Sequence, residues 1–427
     1  MRKMHSGGLN QFFSKIDYCK DKILEISIKK IIFLFIITLF TLTSVHFLLF
    51  MYGFVSIGAG DTFIMDNALY NTIQGEGLMT IGAVEHYPEY YKASEHPTHS
   101  QFTNYFEIHK KLILVLMLPI YYLWPSLFNI LLIQCIMLGL SAYPLYKICN
   151  HFMDERASKI ISISYLLYPT IILTGIVGFH VPTFAPLFIF LTFYFYLNKM
   201  TVLHLVSLIL LLTLFENMFL VSIPIALYYI FDTYFNKEDL KMRLYKYSFP
   251  AIFATIIYYG VFMHYIIGPM YSPDALITET TCLSYHFGYL GSSVPEIVLN
   301  SLSNPSLVIN IPHILKFGIY MFVMLLPLAF MPLLNKRSIM AFSMSSLIVI
   351  QSVLSRNPTG ACFYDRFQAI VIPFLFLALI ISVSELQKEK YIKYFNKYYI
   401  YYIFIISVSY CLWYVLSYLF ETRIYTV

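Results

Sequence analysis

Long apolar runs separated by short polar segments dominate this chain. Apolar runs of about 18 or more residues recur between residues 31 and 420, and a helix of that length crosses a hydrocarbon layer of roughly 30 Å. The pattern predicts an all-α, polytopic membrane protein with about eleven transmembrane helices. The predicted spans are residues 31–54, 128–148, 158–176, 182–198, 201–216, 217–233, 248–268, 313–333, 338–354, 367–386 and 398–420.

The apolar stretch 110–124 is treated differently because it is only about fifteen residues long. It carries Lys110 and Lys111 at its start and ends at Trp124-Pro125. We interpret it as an interfacial or re-entrant helix, not as a span. This interpretation determines the side of the membrane on which every later segment lies.

Basic residues test the topology because Lys and Arg accumulate on the cytoplasmic side of a membrane. With the N-terminus inside, 21 of the 28 Lys and Arg residues lie on the inner side. The seven outer ones are Lys92, Lys110, Lys111, Lys316, Arg356, Arg366 and Arg423. Counting 110–124 as a crossing would place the basic clusters at 234–247 and 388–397 outside. The sequence therefore predicts a multi-pass plasma-membrane protein with a cytoplasmic N-terminus.

Composition excludes other classes of protein. The chain is 59% hydrophobic and only 12% charged, about half the charge of a soluble chain, which excludes a soluble enzyme. The net charge of +5 does not indicate a nucleic-acid partner, because the basic residues lie in short clusters between apolar runs. The six cysteines show no CxxC pair, so neither a zinc site nor a disulfide scaffold is indicated.

The predicted organisation has three parts. Residues 1–30 form a basic cytoplasmic N-terminus, residues 31–386 a transmembrane domain, and residues 387–427 a basic linker with the last transmembrane helix. The first apolar run, Ile31 to Phe54, is too long for the core of a cleavable signal, so we interpret it as a retained span. Within the transmembrane domain, residues 55–125 form the longest outer loop and are expected to carry interfacial helices exposed to water.

The first outer loop holds the densest group of ionisable residues in the chain. Apolar and polar residues alternate at near-helical spacing over 63–73, which predicts a short amphipathic helix on the membrane surface, ended by Gly75 and Gly77. Asp61 and Asp66 lie about 140° apart around such a helix, so one regular helix cannot direct both at a single atom. Asp61 could equally be an N-cap, and Asp66 part of a solvated polar face.

Four further residues are candidates for a site on the outer face. His180 lies at the outer end of the third span, and Glu216 interrupts the apolar stretch 205–230. Polar groups at such depth need a hydrogen-bond partner. The alternative to a functional role is a hydrogen-bonded structural histidine for His180 and a simple helical turn for Glu216. Asp365 and Arg366 precede the tenth span, where the arginine could bind a phosphate or lie at the interface with its charge in water.

Metal binding remains open at the histidines of the first loop. His96 and His99 are three residues apart and His86 lies ten residues earlier, a spacing that is compatible with a divalent metal but not diagnostic. No cofactor is expected, because the chain has no glycine-rich nucleotide-binding loop.

Several motifs together resemble a known family. They are DNALYNTIQGEGL, EIHKKLILVLMLPIYYLWPSLFN, SYLLYPTIILTGIVGFHVPTF, LLTLFENMFLVSIPIAL, LLPLAFMPLL and FYDRFQAIVIPFLFLAL. In this order, over residues 57–385, they resemble a family of prokaryotic multi-pass membrane proteins defined as domain of unknown function 2079. The architecture of that family is similar to the GT-C class of integral-membrane glycosyltransferases, in which an acidic residue of the first outer loop contributes to the active site.

The resemblance implies a role for most of the candidates. Asp66 matches the aspartate of the family's first loop, His109 its histidine ahead of a Pro-Ile-Tyr block, and His180 and Glu216 its Phe-His and Lys-Glu positions. Three positions depart from the family pattern. His109 is displaced by one residue and lacks the proline that usually follows. Phe215 replaces the lysine, and the run Tyr364-Asp365-Arg366-Phe367 stands where a Tyr-His-Tyr run is expected.

If the chain works as GT-C enzymes do, it transfers a sugar from a polyprenyl-phosphate donor to an acceptor at the outer face. Asp66 would be the general base, and Asp61 is the second candidate for this role. The substrate-binding residues would be His109, His180, Glu216, Asp365 and Arg366. The implied partners are a lipid-linked sugar and membrane lipids. Two alternatives stay open: a transporter that uses Glu216, His180 and Asp365, and a GT-C-like scaffold without catalysis.

Overall fold

The computed structural model is helical throughout the part that it describes. This part comprises residues 25–51, 60–81, 104–236, 240–267, 286–356 and 367–386, with residue 399 and most of 402–413. Within these residues, extended pairing is limited to one isolated β-bridge between Thr80 and Asn104. The predicted all-α class is therefore confirmed.

The helices follow one another with short connections. In the first half they are α1 Ile28–Met51, α2 Gly60–Gln74, α3 Tyr105–Ile108, α4 Ile113–Leu123, α5 Leu127–Leu140, α6 Ala142–Phe152, α7 Glu155–Leu166, α8 Pro169–Ile176, α9 Ala185–Leu197 and α10 Thr201–Leu212. In the second half they are α11 Phe219–Asn236, α12 Leu240–Arg243, α13 Phe249–Ile256, α14 Val294–Ser303, α15 Ile311–Leu325, α16 Lys336–Ser343, α17 Ser346–Leu354 and α18 Gln368–Leu386. Two π-helical segments, Leu244–Ser248 and Ile257–Ile267, flank α13.

Several of these helices suit a membrane by length and composition. Among the described residues, four helical stretches are long and apolar enough to cross a bilayer, and two bent helix pairs raise the number to six. The pairs are α7 with α8, bent by 40°, and α16 with α17, bent by 58°. The sequence predicts about eleven spans. Part of the difference lies in shorter apolar helices, namely Val181–Leu197, Thr201–Leu212 and Phe219–Thr233, which are too short to meet the length criterion.

Helices α1 and α5 run antiparallel in close contact. The ring of Phe47, near the end of α1, lies 5.9 Å from that of Phe128 at the start of α5. Further along the pair, the hydroxyl of Thr43 approaches the thiol of Cys135 at 3.8 Å. The chain between α1 and α5 therefore leaves and returns at the same end of the bundle, which is the arrangement expected if residues 110–124 do not cross it.

Helices α5 and α6 form one span and α7 and α8 one bent pair, and the connections between these units and the helices α9, α10 and α11 lie at two ends of the bundle. At one end the amide nitrogen of Ile113 donates to the carbonyl of Thr213 at 3.1 Å. At the other end Tyr196 of α9 contacts both His204 of α10 and Asp232 of α11. We call the first the outer end and the second the inner end, following the topology predicted from the basic residues.

Helix α18 forms the centre of the bundle, whereas α1 and α15 lie at its periphery. The membrane-length window of α18 is 89% buried, against 22% for α1 and 28% for the window that begins with α15. The exposed faces of the two peripheral helices remain strongly apolar. A helix that is apolar all round either lies in a core or faces lipid, and both cases occur here.

Helix α2 ends as predicted but does not lie on the surface. Gly75 and Gly77 have φ values of +85° and +118°, a conformation that terminates helices and favours glycine. The prediction of a water-exposed amphipathic helix is wrong, because the polar side chains of Asp66, Asn67 and Asn71 are buried together with the apolar ones. Their burial is tolerated because they form hydrogen bonds within the protein, such as Asn71 to Asn67 at 3.2 Å.

Candidate functional site

Two separate segments contact helix α2 and the residues that follow it at the outer end. The amide nitrogen of Phe179 donates to the hydroxyl of Thr62 at 2.9 Å, which joins the turn after α8 to the start of α2. The amide nitrogen of Tyr105 donates to the carbonyl of Met79 at 2.8 Å, which joins α3 to the segment after α2. The predicted site residues of the first loop are therefore held by tertiary contacts on both sides.

Asp66 lies on the buried face of α2. Its side chain is 6% exposed, and the hydroxyl of Tyr121 donates to its Oδ1 at 2.7 Å. The alternative of a solvated polar face is therefore wrong for Asp66. The backbone of Asp61 belongs to α2, and its side chain lies outside the described part of the structure.

His109 and Glu216, which are 107 positions apart, form a direct pair. Nδ1 of His109 lies 2.9 Å from Oε1 of Glu216, and the side chains are 18% and 33% exposed. The carboxylate can only accept, so Nδ1 carries the hydrogen and Nε2 of a neutral ring is the acceptor. The ring of Phe215 packs 5.1 Å from the imidazole. Glu216 thus fixes both the tautomer and the orientation of His109.

The environment of Glu216 favours its ionised form. Burial alone would raise the pKa of the carboxyl, but the charge and hydrogen bond of His109, with a smaller contribution from Lys111, hold the pKa below its usual value. The second oxygen, Oε2, is buried without a hydrogen-bond partner among the described residues. The turn between α10 and α11 therefore presents a half-buried carboxylate with one buried oxygen, which a simple helical turn does not require.

Lys111 is a buried cation that sequence analysis missed. It is 3% exposed, and its Nζ donates to the hydroxyl of Tyr105 at 2.8 Å. Nζ also lies 5.4 Å from the ring centroid of Phe215, a distance typical of a cation–π contact. The sequence identifies Lys110 and Lys111 only as a basic start to an apolar run. It carries no signal that one of them points into the protein.

His180 is held through its backbone. Its amide nitrogen donates to Oε1 of Gln134 at 2.7 Å, and Nε2 of Gln134 donates to the carbonyl of Gly178 at 2.7 Å. His180 itself is 7% exposed. Gln134, which is fully buried in α5, is a further residue that the sequence analysis did not select, although a lone amide in an apolar run is a usable signal.

The structure brings some candidates together and leaves others outside its description. His109 and Glu216 touch, and Asp66 lies one helical turn from Thr62, whose hydroxyl binds the residue before His180. Asp365 and Arg366 lie outside the described residues, as do His86, His96 and His99. Within the described ranges, no group of three or more His, Cys, Asp or Glu side chains is placed to hold a metal ion.

Taken together, the outer end supplies groups for proton transfer and for binding negative charge. Asp66 is a buried carboxylate, Glu216 is a half-buried one, His109 is an oriented imidazole, and Lys111 is a buried ammonium. In a site of low dielectric constant, such groups act more strongly on a substrate than they would in water.

A comparison with models of protein families matches residues 55–424 to a family described as "Predicted membrane protein (DUF2079)". The match covers the chain from the first predicted outer loop to the end of the last predicted span. No curated protein matches the chain.

Proposed function

The chain belongs to the family of membrane proteins DUF2079, and we propose that it acts in the membrane as a glycosyltransferase. The proposed reaction moves a sugar from a polyprenyl-phosphate donor to an acceptor at the outer face of the plasma membrane. The proposal includes a GT-C-like arrangement of about eleven spans and a cytoplasmic N-terminus. The boundaries of the three predicted parts, 1–30, 31–386 and 387–427, stay a prediction.

The observation that carries the proposal is the set of buried and half-buried ionisable groups at the outer end. Transfer from a lipid phosphate needs a proton acceptor beside the attacking hydroxyl and positive charge beside the departing phosphate. Asp66, held by Tyr121, supplies a carboxylate for the first task. Lys111 supplies positive charge for the second. His109, oriented by Glu216, would add positive charge and a donor at Nε2 when its ring is protonated.

In the proposed step, the acceptor hydroxyl gives its proton to Asp66 while its oxygen attacks the anomeric carbon. The bond between that carbon and the phosphate oxygen breaks, and the lipid phosphate leaves with the bonding electron pair. Phosphate is a good leaving group, so charge stabilisation matters more than protonation. Arg366 and His180 are proposed as further contacts to the donor or the acceptor.

The direct test is Asp66→Asn in purified protein reconstituted with a polyprenyl-phosphate sugar and a membrane acceptor fraction. Asparagine can still accept from Tyr121 but cannot take a proton, so transfer should fall by about 10²- to 10⁴-fold. Asp154→Asn is the matched control. It makes the same change in the helix N-cap of α7 at the inner end, and activity should remain near that of the wild type.

Because Asp66 is buried, the stability of the Asp66→Asn variant must be measured in addition to its activity. Because the carboxylate is not water-exposed, the stability of Asp66→Asn has to be compared with that of the wild type before a loss of transfer is attributed to chemistry. Full activity of a folded Asp66→Asn variant would overturn the proposed role of this residue. Unchanged glycan and glycolipid profiles after deletion of the protein would overturn the transferase proposal itself.

Transport is a second candidate, favoured by the buried Oε2 of Glu216 without a hydrogen-bond partner among the described residues. An ionisable group at membrane depth can carry a proton or an ion. In a transporter, Glu216→Gln should abolish flux, whereas Asp66→Asn should have little effect. In the transferase, Asp66→Asn should be the more severe of the two changes. A scaffold should tolerate both changes.

Orientation can be tested by labelling introduced cysteines in intact cells. Residues 357–362 should react with an impermeant maleimide from outside, whereas residues 236–245 should react only after permeabilisation. Reaction of 236–245 in intact cells would place the site on the cytoplasmic side and exclude an acceptor at the outer face.

A further inference from the structure

A cavity of about 520 Å³ lies at the inner end, away from the site described above. It is bounded by α6, α9, α11, α12, α16 and α18 together with the π-helical segment after α12. The residues of its lining that carry charge or hydrogen-bonding groups include His151, Tyr196, Lys199, Asp232, Arg243 and Arg337. The transferase proposal gives none of them a task.

Two arginines share one carboxylate inside this cavity. Nη1 of Arg243 donates to Oδ2 of Asp232 at 2.7 Å, and Nη2 of Arg337 lies 3.5 Å from its Oδ1. Tyr196 donates its hydroxyl to the same Oδ2 at 3.0 Å, and its ring lies 4.7 Å from the guanidinium of Arg243. Arg243 and Asp232 are 5% and 4% exposed. The guanidinium groups are therefore fixed in place by neighbours on other helices.

Positive charge exceeds negative charge in the described lining of the cavity. Lys199, Arg243 and Arg337 carry three positive charges, and Asp232 carries one negative charge. Lys199 and His151 are exposed, whereas Arg337 is half-buried. The cations thus extend from the exposed surface inward to Arg243, which would attract an anion and guide it inward.

The rest of the lining suits a ligand with an apolar part. Phe152, Phe193, Leu377 and Ile381 contribute apolar walls, which exclude water and strengthen the electrostatic field of the arginines. The volume lies within the range of about 300–1,000 Å³ that is usual for small-molecule sites. A forked guanidinium matches the oxygens of a phosphate group better than it matches a single-point anion such as chloride.

We propose that this inner cavity binds a phosphate-bearing anion through Arg337 and Arg243, with Lys199 at its entrance. The phosphate belongs either to the headgroup of an anionic lipid or to a soluble phosphate compound, since both present the same oxygens. The proposal stands independently of the transferase chemistry. It rests on charges and geometry at the opposite end of the bundle.

The experiment measures binding to the purified full-length protein in detergent. The probes are dioctanoyl phosphatidic acid and inorganic phosphate, and dioctanoyl phosphatidylcholine is the zwitterionic control. Arg337→Gln should weaken binding of the phosphate probe by about 10-fold or more, because a hydrogen bond to a charged group is lost. Added salt should slow the association of the probe more than it weakens binding, because it screens the exposed Lys199 more than the buried Arg243.

Lys336→Gln is the matched control variant. Lys336 is the neighbouring residue of α16, is exposed and does not line the cavity, so the same loss of charge should change binding less than about twofold. Arg337→Lys keeps the charge but loses the fork, and its affinity should lie between those of the wild type and Arg337→Gln. It also serves as the test variant if Arg337→Gln does not fold.

The probes distinguish the two sources of phosphate. Arg337-dependent binding of both probes supports a site for soluble phosphate compounds, and Arg337-dependent binding of phosphatidic acid alone supports a lipid headgroup. The proposal is overturned if neither probe binds, if phosphatidylcholine binds equally well, or if the Arg337 variants and Lys336→Gln weaken binding to the same extent.

Discussion

Gln134 forms hydrogen bonds with four polar groups in the last turn of α8 and the segment that follows it, and we expect its replacement by methionine to destabilise the protein. Its amide nitrogen donates to the carbonyls of Gly175 at 3.1 Å and Gly178 at 2.7 Å. Its amide oxygen accepts from the amide nitrogen of His180 at 2.7 Å and the hydroxyl of Thr183 at 3.1 Å. Methionine has a similar volume, so the change removes hydrogen bonds without opening a large cavity.

The structure indicates the size of the effect. The carbonyl of Gly175 also accepts from Thr43, and the hydroxyl of Thr183 also donates to the carbonyl of His180. The larger losses therefore fall on the Gly178 carbonyl and the His180 amide. A buried group that loses its partner costs about 1–3 kcal/mol, which gives roughly 2–6 kcal/mol for two. Interhelical hydrogen bonds in membranes average only about 0.6 kcal/mol, so we expect about 2–4 kcal/mol.

The assay is unfolding in mixed micelles with increasing dodecyl sulfate, followed by circular dichroism. Gln351→Met is the matched control, because Gln351 is half-buried and accepts one hydrogen bond, from Asn217 at 2.9 Å. Its loss should cost at most about 1 kcal/mol. If Gln134→Met and Gln351→Met lower the free energy of unfolding equally, the four hydrogen bonds of Gln134 do not hold the turn as we argue.

Two further predictions concern helix contact and acidity. A Cβ at Gly139 would lie 3.0 Å from Cδ1 of Ile36 and closer to its Cγ1. Gly139→Ala should therefore lower the free energy of unfolding by about 1–3 kcal/mol, measured as a lower thermal midpoint. Gly318→Ala should not lower the midpoint, because there is open space around Gly318. Equal midpoints for the two variants would contradict close α1–α5 packing. Because the folded state lowers the pKa of Glu216, its carboxylate stabilises the fold above the unfolded pKa, and this contribution is lost as the pH falls through the folded value. His109→Phe should leave burial as the main influence and raise that pKa, so the variant should lose less stability than the wild type as the pH falls through the pKa of an unfolded glutamic acid, about 4.3; parallel thermal-midpoint curves in this pH range would refute the pairing.

The sequence predicts well those features that depend on short stretches of neighbouring residues. The apolar runs predict the helical class, and the family motifs predict the confirmed membership. Gly75 and Gly77 end α2 as expected because only a positive φ is needed there. His109 and Glu216 were selected separately, from a motif and from a carboxylate in an apolar run. Their direct contact follows from how α10 returns to the outer end.

The features that the sequence misses depend on which side of a helix faces the protein. The alternation over 63–73 fits a surface helix, but the same alternation serves a helix whose polar side is buried against partners such as Tyr121. Lys111 and Lys110 are equivalent in sequence, and only the fold distinguishes the buried one. Local periodicity reports that a helix has two faces. It cannot report what covers each of them.

The antiparallel contact between Phe47 and Phe128 has a consequence for recombination between related chains. Because the chain leaves α1 and enters α5 at neighbouring points, residues 52–126 could be exchanged between related chains as one sequence segment. Its fit is nevertheless fixed at Phe179 and Thr213, which bind it from outside. A functional chimera would therefore need all three segments from the same parent chain: residues 52–126, the turn with Phe179 and the turn with Thr213.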